Sequence, residues 1–267
     1  MRLHSNRYFM ELASVQNTFL KNVRRATAGG RPTEDGLITA EGPHLLQEAL
    51  RSAWSVEKVL TTADGLERYQ EILHGLKAEI VKVSSRAFAA TAATEHAQEV
   101  LTLLRPPRWS EDDVWQRQPA LLIALDAIQD PGNAGTVVRS AEAFGATGVL
   151  FLRGCVRVSN GKFLRASAGS IFRLPFLEEV RAETLIRQAA RNRIKLYGLT
   201  ASGKIRITEV DLSRSCCLLI GNEGAGLSEE LLAPAQSVSI PMLKVESLNA
   251  AVACSLALFE AYKQRTL

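Results

Sequence analysis

The stretch Ile220-Gly-Asn-Glu-Gly-Ala-Gly-Leu227 begins at the last residue of Cys217–Ile220, which is an apolar run of strand length. Three glycines within six residues permit positive φ angles and let the backbone approach a ligand closely. Their order is G-x-x-G-x-G, which differs from the dinucleotide fingerprint G-x-G-x-x-G. Glu223 lies in the middle of this turn, where chain reversal alone does not require a carboxylate. The stretch therefore predicts a ligand-binding loop at the end of a buried strand.

The same alternation of apolar strand, loop and helix recurs through the second part of the chain. Continuous apolar strands alternating with helices indicate a mainly parallel sheet that is covered on both faces, which is an α/β fold. In such sheets ligands bind beyond the carboxyl ends of the strands, so the informative residues are expected in the loops there. The predicted strands are Ala120–Asp126, Gly148–Leu152, Lys195–Thr200 and Cys217–Gly221, and helices are predicted over Ala134–Phe144 and Leu248–Lys263.

A proline pair divides the chain. The pair lies in the segment Arg105-Pro-Pro-Arg-Trp-Ser-Glu-Asp-Asp113. Consecutive prolines interrupt both a helix and a sheet, and the charged end of the segment favours solvent. The 267 residues are also enough for two domains of ordinary size. We predict a first, smaller α/β domain over 1–105, a linker over 106–118 and a second domain over 119–267.

Positive charge is concentrated at the start of the chain, although the formal net charge is only +4. A concentrated basic surface is suited to a phosphate-bearing partner such as a nucleic acid. The alternative is a first helix that simply exposes its charges to water. The cations within residues 1–31 are Arg2, Arg7, Lys21, Arg24, Arg25 and Arg31, against the single carboxylate of Glu11.

The histidines and cysteines exclude several classes of enzyme. All four histidines lie in the first part, which excludes from the second part a Ser-His-Asp hydrolase and a histidine-ligated metal site. No two cysteines form a C-x-x-C pair, so we predict no metal and expect reduced thiols packed in the core. The NTPase phosphate-binding loop is missing from the sequence as well. The residues concerned are His4, His44, His74, His96, Cys155, Cys216, Cys217 and Cys254.

Neither a membrane span nor an export signal is found in the sequence. The longest apolar stretches, Ala120–Leu125 and Leu248–Phe259, are far shorter than the roughly 20 residues that a transmembrane helix requires. The first 16 residues have no apolar run of signal-peptide type. We therefore predict a cytoplasmic protein without membrane association.

Two further loops carry polar residues at predicted strand ends. In the first loop, Asn133 is predicted to cap the helix that follows, and Arg139 projects from the side opposite the apolar stripe, towards a groove, a partner or water. In the other loop, Ser247 or Asn249 is predicted to cap the last helix. That helix is apolar nearly all round over Ala250–Phe259, which fits either a deep core or a subunit interface.

Together the three loops resemble the signature motifs of the SpoU/TrmH branch of the SPOUT superfamily. The first domain resembles, more loosely, the family's substrate-binding domain of ribosomal-protein-like α/β type, with Glu41-Gly42 in place. Leu243-Lys244 fills a loop that commonly contains glycine in the family. The matching segments are Asp130–Gly145, Arg165–Ser170, Ile220–Leu227, Ile240–Met242 and Val245–Asn249.

The resemblance implies both a fold and an activity. Members of the family are RNA ribose 2′-O-methyltransferases that use S-adenosylmethionine, with a deep trefoil knot near the C-terminus and a homodimeric assembly. The two-domain build resembles the members that act on ribosomal RNA more than the short members that act on transfer RNA. The alternatives are a transfer-RNA 2′-O-methyltransferase, a non-catalytic RNA-binding protein and a nucleotide-binding oxidoreductase, although the glycine order argues against the last of these.

The resemblance also implies roles for particular residues. Arg139 resembles the family's catalytic arginine. An arginine is a poor base because a guanidinium does not readily give up its proton, so we expect Arg139 to bind the phosphate beside the target ribose and to stabilise developing alkoxide charge. Asn133, Glu223, Ser247 and Asn249 would complete the catalytic pocket. The implied cofactor contacts are Thr200, Gly221, Asn222, Gly224, Gly226, Ile240, Met242, Ser247 and Leu248.

Overall fold

The structure is a computed structural model that describes residues 11–94 and 97–266. The predictions for Arg2, Arg7, His4 and His96 lie outside these residues. The chain divides into two compact units. One comprises Met1–Pro107 with Ser159–Gly161, and the other comprises Arg108–Val158 with Lys162–Leu267.

The first unit is built on a four-stranded mixed sheet in the order β1-β4-β2-β3. Strand β4 pairs antiparallel with β1 and β2, whereas β2 and β3 are parallel. The elements are α1 (Thr18–Gly29), β1 (Ile38–Glu41), α2 (Pro43–Leu50), β2 (Ser55–Thr61), α3 (Ala63–Arg68), α4 (Gln70–Leu73), β3 (Glu79–Lys82), α5 (Ser85–Ala89) and β4 (Val100–Arg105).

The second unit is built on a seven-stranded sheet in the order β7-β6-β5-β10-β8-β11-β9. Every strand pair in it is parallel, which confirms the predicted mainly parallel sheet. The trefoil knot stays a prediction. The elements are α6 (Glu111–Trp115), β5 (Leu121–Leu125), α7 (Pro131–Ala143), β6 (Gly148–Leu152), α8 (Gly161–Ala166), β7 (Phe176–Val180), α9 (Ala182–Arg191), β8 (Lys195–Leu199), β9 (Ile205–Arg206), β10 (Cys216–Ile220), α10 (Glu229–Leu232), β11 (Gln236–Ser239) and α11 (Ala250–Thr266).

Both faces of the large sheet are covered, so its central strands are buried along their whole length. Leu122 and Cys217 belong to a core cluster with Leu185 of α9. The neighbouring Cys216 is contacted by Arg265 of α11. The two cysteines therefore point to opposite faces, as the alternation of side chains along a strand requires. No described helix is long and apolar enough to cross a bilayer.

Part of the segment that we predicted as a linker packs into the second unit. Helix α6 begins at a capping box, in which Ser110 Oγ accepts from the Asp113 N–H and the Asp113 carboxylate accepts from the Ser110 N–H. Val114 and Trp115 are buried in the same cluster as β5. The domain boundaries at 105 and 119 stay a prediction.

The end of α11 is held by one guanidinium. Arg265 Nε donates to the Leu212 carbonyl at 2.8 Å, and Nη2 donates to the carbonyls of Ala120 at 2.9 Å and Arg214 at 2.6 Å. These carbonyls flank the starts of β5 and β10. Arg265 thereby ties the C-terminal helix to the central strands of the sheet.

We expect Arg265→Met to lower the free energy of unfolding by about 2–4 kcal/mol, because two partly buried carbonyls and one exposed carbonyl lose a charged donor. Urea unfolding of the full chain measures this change. Lys263→Met is the matched control, since Lys263 forms a surface ion pair with Glu260, which is worth at most about 1 kcal/mol. Equal stability of the two variants would contradict the assignment.

Candidate active site

A cavity of about 330 Å³ lies beyond the carboxyl ends of β8, β10 and β11. Its lining combines apolar side chains, including Leu199, Ile220 and Ala253, with the backbone of the glycine loop 221–227. The structure thus brings together three segments that are remote in sequence. All nine residues implied as cofactor contacts line it, namely Thr200, Gly221, Asn222, Gly224, Gly226, Ile240, Met242, Ser247 and Leu248.

The glycine loop is tightly folded on itself. The backbone groups of Asn222 and Gly226 exchange two hydrogen bonds, at 3.0 and 2.8 Å, and Gly226 has a φ of +73°. A Cβ atom on Gly221 would lie 2.2 Å from the carbonyl carbon of Gly226 and 2.3 Å from the Leu227 nitrogen. Only glycine therefore fits at 221 without displacing backbone.

Both polar atoms of the Asn222 side chain form hydrogen bonds within the protein. Its Nδ2 donates to the Ala127 carbonyl at 2.9 Å, and its Oδ1 accepts from the Gly224 N–H at 2.9 Å. Asp126 Oδ2 accepts from the Ser228 N–H at 2.8 Å at the far end of the loop. Asn222 and Asp126 fasten the glycine loop to the loop after β5. We did not identify Asp126 from the sequence, although its place directly after a strand was a usable signal.

One carboxylate joins the three predicted motifs. Glu223 Oε1 accepts from Asn249 Nδ2 at 2.8 Å and also from Asn133 Nδ2. Asn249 Nδ2 lies 3.0 Å from Asn133 Oδ1 as well. A carboxylate that accepts two amide hydrogens forms charge-assisted hydrogen bonds, which fix all three side chains. We call this group the Asn-Glu-Asn cluster.

The caps of two helices differ in part from the predictions. The prediction that Asn133 caps α7 was wrong, because Asp130 Oδ1 accepts from the Asn133 N–H at 2.7 Å and Pro131 is the first helical residue. The Asn133 side chain is thereby left for Glu223. At the last helix, Asn249 Oδ1 accepts from the N–H groups of Ala251 at 2.9 Å and Val252 at 3.2 Å, so Asn249 is the cap of α11.

Arg139 and Ser247 lie at different places around this site. Ser247 is an exposed residue on the rim of the cavity. Arg139 does not line the cavity. It lies on the exposed side of α7, about 9 Å along the helix axis from Asn133. No described residue forms a hydrogen bond or an ion pair with Arg139. The described ranges also contain no cluster of three potential metal ligands.

Helix α11 packs on α7 along one side and leaves an apolar stripe exposed along another. Ser140 Oγ lies 2.7 Å from Ser255 Oγ, and the Phe144 ring packs edge-on against Phe259 at 5.7 Å between centroids. The helix is therefore less enclosed than its sequence indicates. The exposed stripe comprises Val252, Leu256, Phe259 and Tyr262, with exposed fractions of 47, 45, 48 and 41%.

Comparison with known protein families gives a match for each part of the chain. The SpoU rRNA Methylase family matches residues 120–259, which is more than half of the chain. The MRM3-like substrate binding domain matches residues 17–102.

Individual proteins are similar over nearly the full length. The 23S rRNA (guanosine(2553)-2′-O)-methyltransferase RlmP of Bacillus subtilis is 30% identical over 93% of this chain and 98% of its own length. The 23S rRNA (uridine(2479)-2′-O)-methyltransferase of Streptomyces viridochromogenes is 31% identical, over 87% of this chain and 85% of its own. Among solved structures, the SpoU methyltransferase AviRb from the same organism, in complex with AdoMet, superposes with a TM-score of 0.85. Its sequence is 26% identical to this one, and the superposition covers 94% of this chain and 98% of the AviRb chain.

Proposed function

The chain belongs to the SpoU rRNA methylase family of RNA 2′-O-methyltransferases, and we propose that it transfers the methyl group of S-adenosylmethionine to a ribose 2′-hydroxyl of ribosomal RNA. The observation that carries this proposal is the Asn-Glu-Asn cluster beside a cavity lined by all nine implied cofactor contacts. The relatives named for 23S rRNA match this chain across both of its units, which supports ribosomal RNA as the substrate.

The cavity suits S-adenosylmethionine by the chemistry of its lining. Leu199, Ile220 and Ala253 supply an apolar wall for an aromatic base, and the glycine loop exposes backbone groups that can hold polar atoms. The Thr200 hydroxyl lies 2.8 Å from Ser237 Oγ, which fixes its orientation at the edge of the cavity. When bound, the cofactor supplies a methyl group that its sulfonium centre has already activated.

The residues of the chain then have to position the ribose and accommodate charge. Glu223 holds the amides of Asn133 and Asn249 in one arrangement, so the pocket is formed before the RNA arrives. Arg139 is free to bind the phosphate beside the target ribose and to stabilise negative charge on the attacking oxygen. A guanidinium keeps its own proton at neutral pH, so in this proposal Arg139 is not the base.

Calorimetry with S-adenosylmethionine, followed by transfer of its labelled methyl group to RNA, tests the proposal. We expect a single cofactor site per chain and transfer to ribosomal RNA from a strain that lacks this protein, with alkali-resistant linkages at the modified position. Absence of cofactor binding would contradict the proposal, and so would transfer to transfer RNA alone.

The other functions considered from the sequence are not favoured. A transfer-RNA enzyme is disfavoured because the full-length relatives described above are named for 23S rRNA. A non-catalytic RNA-binding protein would not need the Asn-Glu-Asn cluster or an unpaired Arg139. Cytoplasmic location stays a prediction, supported by the proposed ribosomal RNA substrate.

The first unit supplies basic residues for RNA, on α1 and directly after it. Arg25 forms an ion pair with Glu34, so its charge is partly compensated. Lys21, Arg24 and Arg31 are exposed and have no ion-pair partner among the described residues. The family match of this unit is to a substrate-binding domain, which supports a role in holding RNA.

A second copy of the chain is the partner that best fits the exposed stripe of α11. Four large apolar side chains on one helix face form a continuous surface of the kind found at subunit interfaces. A symmetric dimer would cover the stripe of each copy with that of the other. A homodimer is therefore part of the proposed function.

Leu256→Asp is expected to convert the dimer to a monomer in sedimentation equilibrium at micromolar concentration, because a carboxylate would be desolvated in the interface. Leu50→Asp is the matched control, since Leu50 of α2 has the similar exposed fraction of 44%. A wild-type chain that sediments as a monomer, or a Leu256→Asp variant that stays dimeric, would exclude this interface.

A further inference from the structure

One long segment, which belongs to the second unit except for Ser159–Gly161, contains no acidic residue. From Ala143 to Leu177 the chain has five cations and neither aspartate nor glutamate. The segment includes α8, whose last residues pack against α7. The cations are Arg153, Arg157, Lys162, Arg165 and Arg173.

Helices α7 and α8 meet at a glycine. A Cβ atom on Gly135 would lie 2.4 Å from Ala166 Cβ and 2.8 Å from the Ser167 nitrogen. Arg139 follows Gly135 by one turn of α7, and Arg165 directly precedes Ala166 on α8. This close contact therefore places the backbones of the two arginines on adjoining parts of one surface.

The guanidinium of Arg165 is partly enclosed and lacks an anion. Its Nη1 atom is shielded from solvent and has no hydrogen-bond partner among the described residues. The positions three and four residues away on either side are Gly161, Lys162, Ala168 and Gly169, so α8 provides no carboxylate. An unpaired, shielded charged donor is costly unless a ligand completes its hydrogen bonds.

The carboxylate nearest to Arg139 along α7 already forms an ion pair with another arginine. Glu142 accepts from Arg173 through both carboxylate oxygens, with one distance of 2.9 Å. Burial alone would raise the pKa of Glu142, but the hydrogen bonds from Arg173 and Ser170 outweigh it, and the pKa is lowered. Glu142 is thus committed to Arg173, and the pair Arg139 and Arg165 remains without a protein anion.

We propose that Arg165 binds a backbone phosphate of the substrate RNA, next to the phosphate that Arg139 binds. This inference rests on the proposed function, because it assumes an RNA substrate. A planar guanidinium matches two phosphate oxygens at once, and a segment free of acidic residues does not repel a polyanion. Arg165 does not line the cofactor cavity, which favours RNA over the carboxylate of S-adenosylmethionine as its ligand.

The test compares full-length Arg165→Met and Arg165→Lys with the wild type. For Arg165→Met we expect the KM for ribosomal RNA to rise by about 10-fold at physiological salt, with kcat and cofactor affinity within about 2-fold of the wild type. The slope of log affinity against log salt concentration, from filter binding, should fall by about 0.7–1. Arg165→Lys should restore the wild-type salt slope, because the positive charge is kept. It should restore only part of the RNA affinity, because a lysine cannot donate two parallel hydrogen bonds to one phosphate.

Arg187→Met is the matched control, because Arg187 is an exposed cation on α9, whose buried Leu185 belongs to the core cluster on the other face of the sheet. An unchanged KM and salt slope in Arg165→Met would overturn the inference. Weakened cofactor binding with an unchanged RNA KM would overturn it as well and would assign Arg165 to the cofactor carboxylate. If the wild type transfers no methyl group, the proposed function fails, and the salt slopes still decide whether Arg165 binds RNA.

Discussion

Arg139→Ala is expected to lower kcat for methyl transfer by about 10²–10³-fold while leaving the affinity for S-adenosylmethionine within about 3-fold. The size of the effect follows from the role assigned to the guanidinium, which is to stabilise charge on the attacking oxygen. Cofactor binding should persist because Arg139 does not line the cavity. Folding should persist because Arg139 is exposed and has no bonded partner among the described residues.

Single-turnover rates with ribosomal RNA measure this effect apart from RNA binding. Arg139→Lys keeps the positive charge but loses the planar pair of N–H donors, so we expect an intermediate rate. Arg187→Ala, which removes an exposed arginine from α9, should keep the wild-type rate. Full activity of Arg139→Ala on the true substrate would show that the catalytic assignment is wrong.

Gly221→Ala is expected to reduce the affinity for S-adenosylmethionine by about 10–100-fold. The added Cβ would lie 2.2 Å from the Gly226 carbonyl carbon, and backbone atoms at that distance have to move. Overpacking of this kind typically costs about 1–3 kcal/mol, and here the strain falls on the loop that lines the cavity. The loop also carries Glu223, so the Asn-Glu-Asn cluster should be displaced together with the cofactor contacts.

Gly29→Ala is the control, because Gly29 lies in α1 and does not line the cavity. Its added Cβ would meet no atom within 4 Å, so cofactor affinity should change by less than about 3-fold. Isothermal titration calorimetry of both variants with S-adenosylmethionine measures the two affinities. Equal affinities would mean that the tight fold of the loop does not determine cofactor binding.

The fold and the position of the site follow largely from local patterns in the sequence. Apolar runs of strand length alternate with helices, so the parallel sheet and its ligand-binding edge were predictable from the apolar run before Gly221 and the loop after it. The caps were harder to predict. Asp130 and Asn133 are both good capping residues, and only the position of Pro131 in the first turn decides between them.

Contacts between loops required the tertiary structure. Nothing local to Asn222 indicates that its side chain donates to the Ala127 carbonyl, because the two residues are 95 positions apart. The exposed stripe of α11 was equally hidden, since a helix that is apolar nearly all round does not reveal which side its neighbours leave uncovered. In both cases the strand order decides which segments become neighbours.

The sequence alone determined which residue types stand at the strand ends, because periodicity and turn chemistry act over a few residues. Only the tertiary structure decided that Asn133, Glu223 and Asn249 meet at one carboxylate oxygen. Glu223 is 90 positions from Asn133 and 26 from Asn249. Their loops follow β10, β5 and β11, which become near neighbours because β10 pairs with β5 and β8, and β8 pairs with β11. Hydrogen bonds act over about 3 Å in space whatever the separation along the chain, so the sheet topology had to be known before these partners could be named.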